Sequence, residues 1–257
     1  MNTIIKKLGY SCLSVLTFGK GITKKINGIA IKFPTLYFRY FPEDYEKENF
    51  LLINKIVEKD DVVIDIGAHI GLMAVVLGKR VGVNGKVYTF EPTPRTFEIL
   101  NKTIHLNKLE HIVTSVNKAV SSGSGSIEFN ANNEDVSNSI VLYEYNTGHK
   151  KITVQTVSID DFVKEKKILQ LNFIKIDAEG VELDILKGAG KTLRDFDCKM
   201  ILALHPVAIE AKGDSLSEIY DIVTDAGYMM YWQSKEVAKA FFCEQKQMFD
   251  VYIEKKK

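Results

Sequence analysis

The chain has 257 residues, room for one large domain plus an extension, and its 46% hydrophobic and 26% charged residues are ordinary for a globular protein. A formal net charge of +1 supplies no global field for nucleic acid, so no nucleic-acid partner is expected. Cys12, Cys198 and Cys243 lie far apart with neither disulfide nor metal spacing, and no apolar run approaches the roughly 20 residues that span a bilayer, so a cytoplasmic location is expected.

In chain order, residues 1–42 carry Lys6, Lys7, Lys20, Lys24, Lys25, Lys32 and Arg39, with no acid before Glu43. Ile4, Ile5, Leu8, Cys12, Leu13, Val15 and Leu16 recur as the apolar side of a helix that ends near Gly19-Lys20-Gly21. Such a helix covers the domain or makes a homodimer contact. The alternatives are a peripheral membrane contact through residues 1–25 and a signal peptide, against which the lack of a small-residue cleavage site counts. Residues 29–40, rich in β-branched and aromatic side chains, read as a hairpin or lid. Residues 1–44 are thus a basic helical and hairpin extension, and residues 45–257 form the main domain.

Residues 45–57 read as a helix carrying Phe50, Leu51, Ile53 and Ile56. Val62 to Ile66 is a short β-branched run with an acid near its end, as in a strand buried on both faces. Gly67 and Gly71 bracket the turn that follows, and residues 72–80 form a helix. Residues 86–90 are a second strand. A helix over 94–107 starts at an early proline. Residues 112–120 are a third strand, 121–126 a Ser/Gly turn and 130–146 a polar loop. Residues 152–157 alternate as an exposed strand. An apolar strand over 172–176 leads into Asp177-Ala178-Glu179-Gly180 and a helix over 181–187. Residues 200–204 form a fifth main strand, followed by His205-Pro206, a helix over 215–225 and two closing strands at 228–233 and 248–253. Strands alternating with helices predict an α/β fold, a doubly wound, mostly parallel seven-stranded sheet with helices on both faces.

Ligands of such a sheet sit beyond the carboxyl ends of its strands. Four polar signals stand there. The first is Asp65-x-Gly67-x-x-x-Gly71, with Ala68, His69 and Ile70 between the glycines. It lacks the G-x-G-x-x-G of a dinucleotide site. A carboxylate ahead of the first glycine suits a positively charged group better than a pyrophosphate. S-adenosylmethionine, with an ammonium, a sulfonium and no phosphate, meets that description. The second signal is Glu91-Pro92, whose acid could accept hydrogen bonds from both ribose hydroxyls or cap the next helix. The third is Asn117-Lys118-Ala119, where an adenine edge could be read. The fourth is Asp177 and Glu179, with Glu182 beyond them. Clustered carboxylates are costly without a nearby cation. Lys175, a sulfonium or a magnesium ion bound by Asp177 and Glu179 would each serve; solvated acids at a helix N-terminus are the structural alternative. His205 could shuttle a proton.

Together these stretches resemble the FkbM-type methyltransferases, whose fold is the Rossmann-like class I S-adenosylmethionine-dependent methyltransferase fold. The resemblance is carried by Val62-Val63-Ile64-Asp65-Ile66-Gly67-Ala68-His69-Ile70-Gly71, Phe90-Glu91-Pro92 and Asn117-Lys118-Ala119-Val120. The most specific stretch is Ile174-Lys175-Ile176-Asp177-Ala178-Glu179-Gly180-Val181-Glu182, continuing through Leu186-Lys187-Gly188-Ala189. It implies that residues 65–71 hold the methionine part of S-adenosylmethionine and Glu91 the ribose. It also implies a hydroxyl acceptor on a sugar, glycan or glycosylated natural product. His69 stands where such sequences usually have Asn, Ala203 where they often carry Glu before His-Pro, and Ser121-Ser122 where an acid is usual.

The mechanism expected is an in-line displacement at the methyl carbon, helped chiefly by positioning. Asp177 takes the acceptor's proton directly or ligates a divalent ion. Glu179 shapes the field, and His205 is a second base or orienter. Methylation of a nitrogen or a phosphate-type oxygen is the rival enzymatic reading. A non-catalytic cofactor-binding scaffold is the other. Residues 28–45 and 130–150 would shape the acceptor pocket, with Trp232, Tyr143 and Tyr145 available to stack on a sugar.

Overall fold

A computed structural model of the chain describes residues 19–131 and 150–256. The helix expected over residues 4–16, Tyr143, Tyr145 and nearly all of the 130–146 loop lie outside them.

The first elements are an antiparallel hairpin, β1 (Ile22–Ile26) and β2 (Ile29–Phe33), with Asn27 and Gly28 turning at positive φ. Helix α1 (Lys47–Ile56) follows, then β3 (Val62–Ile66), α2 (Leu72–Val81), β4 (Lys86–Phe90), α3 (Pro94–Leu106) and β5 (Val113–Val116). Three short strands, β6 (Ala119–Val120), β7 (Gly125–Ala131) and β8 (Lys150–Val157), make a separate sheet. The chain continues through α4 (Ile159–Glu165), β9 (Phe173–Ile176), α5 (Glu182–Lys187), α6 (Gly190–Asp195) and β10 (Lys199–Leu204). It closes with α7 (Pro206–Ala211), α8 (Leu216–Asp225), β11 (Tyr228–Trp232), β12 (Lys235–Glu236), α9 (Lys239–Cys243) and β13 (Phe249–Lys255).

The main sheet runs β12-β11-β13-β10-β9-β3-β4-β5. The five strands from β10 to β5 pair in parallel, and β13 joins β10 antiparallel. The sheet therefore has eight strands among the described residues, against the seven expected; the extra one is β12, two residues folded back onto the edge of β11. The expected third strand over 112–120 is two strands. Asn117 Nδ2 donates to the Glu91 and Pro92 carbonyls at 2.8 and 2.9 Å. Ala119 and Val120 then leave the main sheet to pair with Thr156 and Val157.

Side chains along the central strands alternate between two apolar cores. Ile64, Ile66, Ile174, Ile176, Met200, Leu202 and Leu204 belong to one, while Val63, Val87, Phe173 and Ile201 belong to the other. This is the period-2 rule for a sheet covered on both faces. The second core also takes Ile26, Ile31 and Phe33 of the hairpin, with Phe50 and Ile53 of α1. On that face two positions that the rule assigns to the core hold charge instead. Asp65 and Lys175 stand opposite each other in register, 0% and 2% exposed. Strand order reverses between β3 and β9, so the crevice at their carboxyl ends is where such a sheet binds ligands.

Candidate active site

The β3–α2 turn owes its path to its glycines. Gly67 has φ 81°, and a Cβ there would lie 1.8 Å from the Asp177 carbonyl oxygen. Only glycine lets the ends of β3 and β9 come this close. The Gly67 and Ala68 N–H groups donate to the Phe90 carbonyl at 3.1 and 2.9 Å, and Asp177 N–H donates to Ile66 at 3.1 Å. Gly71, at φ 93°, opens α2 against Leu100 and Thr103. Three strand ends are thereby pinned around one cavity of about 300 Å³.

It is lined from two parts of the chain. Gly67, His69, Glu91, Pro92, Lys118 and Ala119 come from the ends of β3, β4 and β5 and the start of β6. Asp177, Glu179, His205, Glu46 and Asp250, with Tyr40, Phe41 and Tyr45, come from β9, β10, β13 and the segment before α1, and the two parts meet where the His69 ring lies 5.0 Å from Tyr40 and 6.1 Å from Phe41. Asp65, Ala68, Gly71 and Asn117, all expected at the cofactor, do not line it. Asp65 lies beneath the floor, its Oδ2 accepting from Thr89 Oγ1 at 3.1 Å and its Oδ1 unpartnered. Asn117 braces the Glu91-Pro92 turn from behind.

The cation required by the acids at the end of β9 is Lys175. Its Nζ is 2.8 Å from Asp177 Oδ2, and the ammonium side chain is 3% exposed. Burial works against its charge, but Asp177, Glu46 and Asp65 outweigh that and hold its pKa above the usual lysine value. Burial likewise pushes Asp177 up, yet Lys175 and then His205 more than offset it, so its carboxyl stays below its ordinary range. Asp65, without a full hydrogen-bond set, is pushed by burial up to about 6. Glu91 is pushed by burial up to about 7 although its oxygens accept from the His69 and Thr93 N–H groups.

His205 caps the end of β10. Its Nδ1 is 2.8 Å from Glu182 Oε1, and its Nε2 is 3.8 Å from Asp177 Oδ1. Glu182 is fully buried, its Oε1 also accepting from Gly180 N–H at 3.0 Å. A carboxylate on Nδ1 fixes the ring and leaves Nε2 toward the cavity. Burial disfavours the imidazolium, but Glu182, Asp177 and Glu179 overcome it and raise the His205 pKa. Glu179 stands at φ 50°, a strained conformation for a non-glycine residue, and burial raises its carboxyl. The magnesium expectation meets a different arrangement. Among the described residues no three His, Cys, Asp or Glu side chains are grouped to hold an ion, and Asp177 is engaged by a lysine.

Tyr40, Phe41 and Tyr45 fall within residues 28–45, the stretch expected to shape the acceptor pocket, whereas sequence reasoning did not find Glu46, Asn49 or Asp250 as part of the site. Asp250 was legible only as a lone acid inside an apolar strand; its partner in register is Ala203, so an acid reaches that level of the sheet from the neighbouring strand. Trp232 packs on Phe241 and Phe249 and lies away from the cavity. Among the described residues no helix is long and apolar enough to cross a membrane.

A profile of the methyltransferase FkbM domain matches residues 65–230. The hexuronic acid methyltransferase AglP of Haloferax volcanii is 29% identical over 165 residues, covering 62% of each chain. Methyltransferase sdnD of Sordaria araneosa is 25% identical over 154 residues, covering 49% of this chain and 59% of its own. The chain thus spans about three fifths of the length of these relatives. Among solved structures, a SAM-dependent O-methyltransferase from Thermotoga maritima superposes with a TM-score of 0.50 at 13% identity, covering 82% of this chain and 65% of that one. That likeness agrees with the class I methyltransferase fold.

Proposed function

The chain belongs to the FkbM methyltransferase family, and on that footing we propose that it transfers the methyl group of S-adenosylmethionine to a hydroxyl of a sugar, glycan or glycosylated natural product. One observation carries the reading. At the switch point of the sheet, a single cavity is lined both by a desolvated acid, Glu91, and by the His205–Asp177 pair. The sugar acceptor is supported by the name of the archaeal relative, which acts on a hexuronic acid.

The donor set suits a cation. Glu91, Asp177, Glu179, Glu46 and Asp250 line the cavity, against Lys118 and the two histidines His69 and His205. Glu91, at the end of β4, is placed to accept from ribose hydroxyls, which would lower the cost of its burial. Lys118 and Ala119 border the space left for an adenine edge. The Gly67 turn brings backbone, without a side chain, up to the methionine end. When bound, S-adenosylmethionine supplies an electrophilic methyl on a positively charged sulfur.

His205 takes the acceptor's proton at Nε2. Asp177, held below its ordinary pKa by Lys175, is a weak base; its negative charge instead stabilises the imidazolium beside it. Glu182 keeps the proton on Nδ1 and the ring in place. Asp177 as the base itself is the second reading, favoured by its position on the cavity wall. Because Asp177 and Glu179 are not grouped with a third ligand, no step is assigned to magnesium.

Calorimetry with S-adenosylmethionine and with NAD, followed by methyl transfer from labelled cofactor to glycan extracts, tests the assignment. S-adenosylmethionine should bind, and label should appear in sugar. Binding of NAD alone would overturn it. Cofactor binding with no transfer to any glycan would favour a scaffold. His205→Gln should lower kcat by about 10²–10⁴-fold with cofactor affinity preserved.

A further inference from the structure

The matched segment ends at residue 230 and begins at 65, yet Tyr40, Phe41, Tyr45, Glu46 and Asp250, which line the cavity beside Asp177 and His205, lie outside it. Glu46, at the N-terminal edge of α1, and Asp250, on β13, are joined by the buried Asn49. Asn49 Nδ2 donates to Asp250 Oδ2 at 2.6 Å and to Glu46 Oε2 at 3.0 Å. Its two N–H donors therefore serve two carboxylates at once. Burial and then the neighbouring Glu46 raise the pKa of the Tyr45 hydroxyl. Glu46 sits at φ 44°, outside the helix, so its side chain is set by this network and not by α1. Beside the two acids stand the rings of Tyr40, Phe41 and Tyr45, with centroids 5.0 Å apart between Tyr40 and Phe41 and 4.7 Å between Phe41 and Tyr45.

We propose that Glu46 and Asp250, fixed by Asn49, form the acceptor-selecting end of the cavity, admitting a neutral or amino-bearing sugar and rejecting one that carries a carboxylate. This rests on the methyltransferase reading above. Carboxylates accept hydrogen bonds from hydroxyls and ammonium groups and have nothing to donate to another carboxylate. The cavity already holds Glu46, Asp250, Asp177, Glu179 and Glu91 against Lys118 and two histidines, His69 and His205, and Lys175 beneath them is engaged by Asp177. A further negative charge in so confined a space meets repulsion that a hydroxyl does not. Burial raises the Asp250 carboxyl; the Asn49 hydrogen bond and Lys175 work against that, and Glu46 and Asp177 add to it. The aromatic rings offer an apolar face for the C–H side of a sugar ring. The acceptor would differ in charge from the hexuronic acid named for the archaeal relative.

The test uses the full chain saturated with S-adenosylhomocysteine and titrated near neutral pH with methyl glucoside, methyl glucosaminide and methyl glucuronide. The glucuronide should bind at least about tenfold more weakly than the other two. Asp250→Asn and Glu46→Gln, both still saturated with S-adenosylhomocysteine, should each narrow that gap to about threefold. Thermal melts establish that each variant folds. Equal binding of glucuronide and glucoside, a gap that both variants leave intact, or binding of none of the three sugars overturns the inference. Failure of S-adenosylhomocysteine itself to bind overturns the underlying methyltransferase reading along with it.

Discussion

The two walls of the cavity are made differently. The wall with Gly67, His69 and Glu91 comes from consecutive parallel strands whose ends follow one another within 30 residues of chain. The wall with Glu46, Asn49 and Asp250 is closed by a hydrogen bond between residues 201 positions apart. The first is built of backbone: glycine at φ 81°, N–H groups on the Phe90 carbonyl, strands in register. The second is built of side chains that hold each other. Backbone construction fits a cofactor whose shape does not vary. Side-chain construction can be altered without disturbing the sheet, which suits the acceptor. Lys175 lies 2.8 Å from Asp177 and attracts both Asp65, at the end of β3, and Glu46, before α1.

The largest effect is therefore expected at Lys175. Lys175→Met keeps the volume but removes the cation, leaving Asp177, Asp65 and Glu46 mutually uncompensated. Removing one partner of a buried ion pair costs about 3–5 kcal/mol. Urea unfolding should show that loss, with both cofactor and acceptor binding weakened. If stability stayed within about 0.5 kcal/mol, the two walls would be electrostatically independent.

The difference between the walls also explains what the sequence could tell. Val62 to Ile66 and residues 172–176 are legible because strands covered on both faces are short, β-branched and punctuated by glycine. Asp65, Gly67, Glu91, Asp177 and His205 stand out as polar groups at the ends of such runs. The split of residues 112–120 was hidden because Asn117 turns the chain through side-chain hydrogen bonds, and local periodicity does not carry these. Helix α4 was missed because its signal is a single capping serine, Ser158, accepting from Asp161 N–H. Glu46 and Asp250 could not be paired by reading along the chain, since nothing at either position announces the other. Sequence also placed Asp65 in the site by its spacing. The structure puts it one layer lower, against Thr89 and Lys175.

Two substitutions should separate the walls. Gly67→Ala places a Cβ 1.8 Å from the Asp177 carbonyl at φ 81°, and a strained position of this kind costs on the order of 1–3 kcal/mol before the clash is counted. Thermal melting should fall, and S-adenosylhomocysteine affinity with it. Glu91→Gln removes the charge and, with one amide oxygen in place of two, keeps an acceptor for only one of the His69 and Thr93 N–H groups. Cofactor affinity, measured calorimetrically, should drop about tenfold, the value of about 1.4 kcal/mol typical of a lost charged hydrogen bond. Sugar binding to the preloaded protein should stay within about threefold. A sugar defect as large as the cofactor defect would show that the walls do not act separately.

The smallest effect is expected from Glu182→Gln, and it decides which residue is the base. Glu182 is first among the groups that raise the His205 pKa, Asp177 and Glu179 adding to it, while burial works the other way. With His205 as the base, the active form is the neutral ring, so kcat/KM should climb with pH and level off only above the ordinary histidine value. Removing the Glu182 charge takes away the main raising influence. Burial then weighs more, the ring loses its proton at lower pH, and the limb moves toward acid. On the plateau, where His205 is already neutral in both proteins, rates should differ by no more than about threefold, because glutamine can still accept from Nδ1–H. Asp177 as the base predicts another profile: a carboxyl held below its ordinary range is ionised throughout, so any limb near neutral pH belongs to Glu91, pushed by burial up to about 7, and Glu182→Gln shifts none. A purely structural Glu182 would lower the plateau and leave the limb in place.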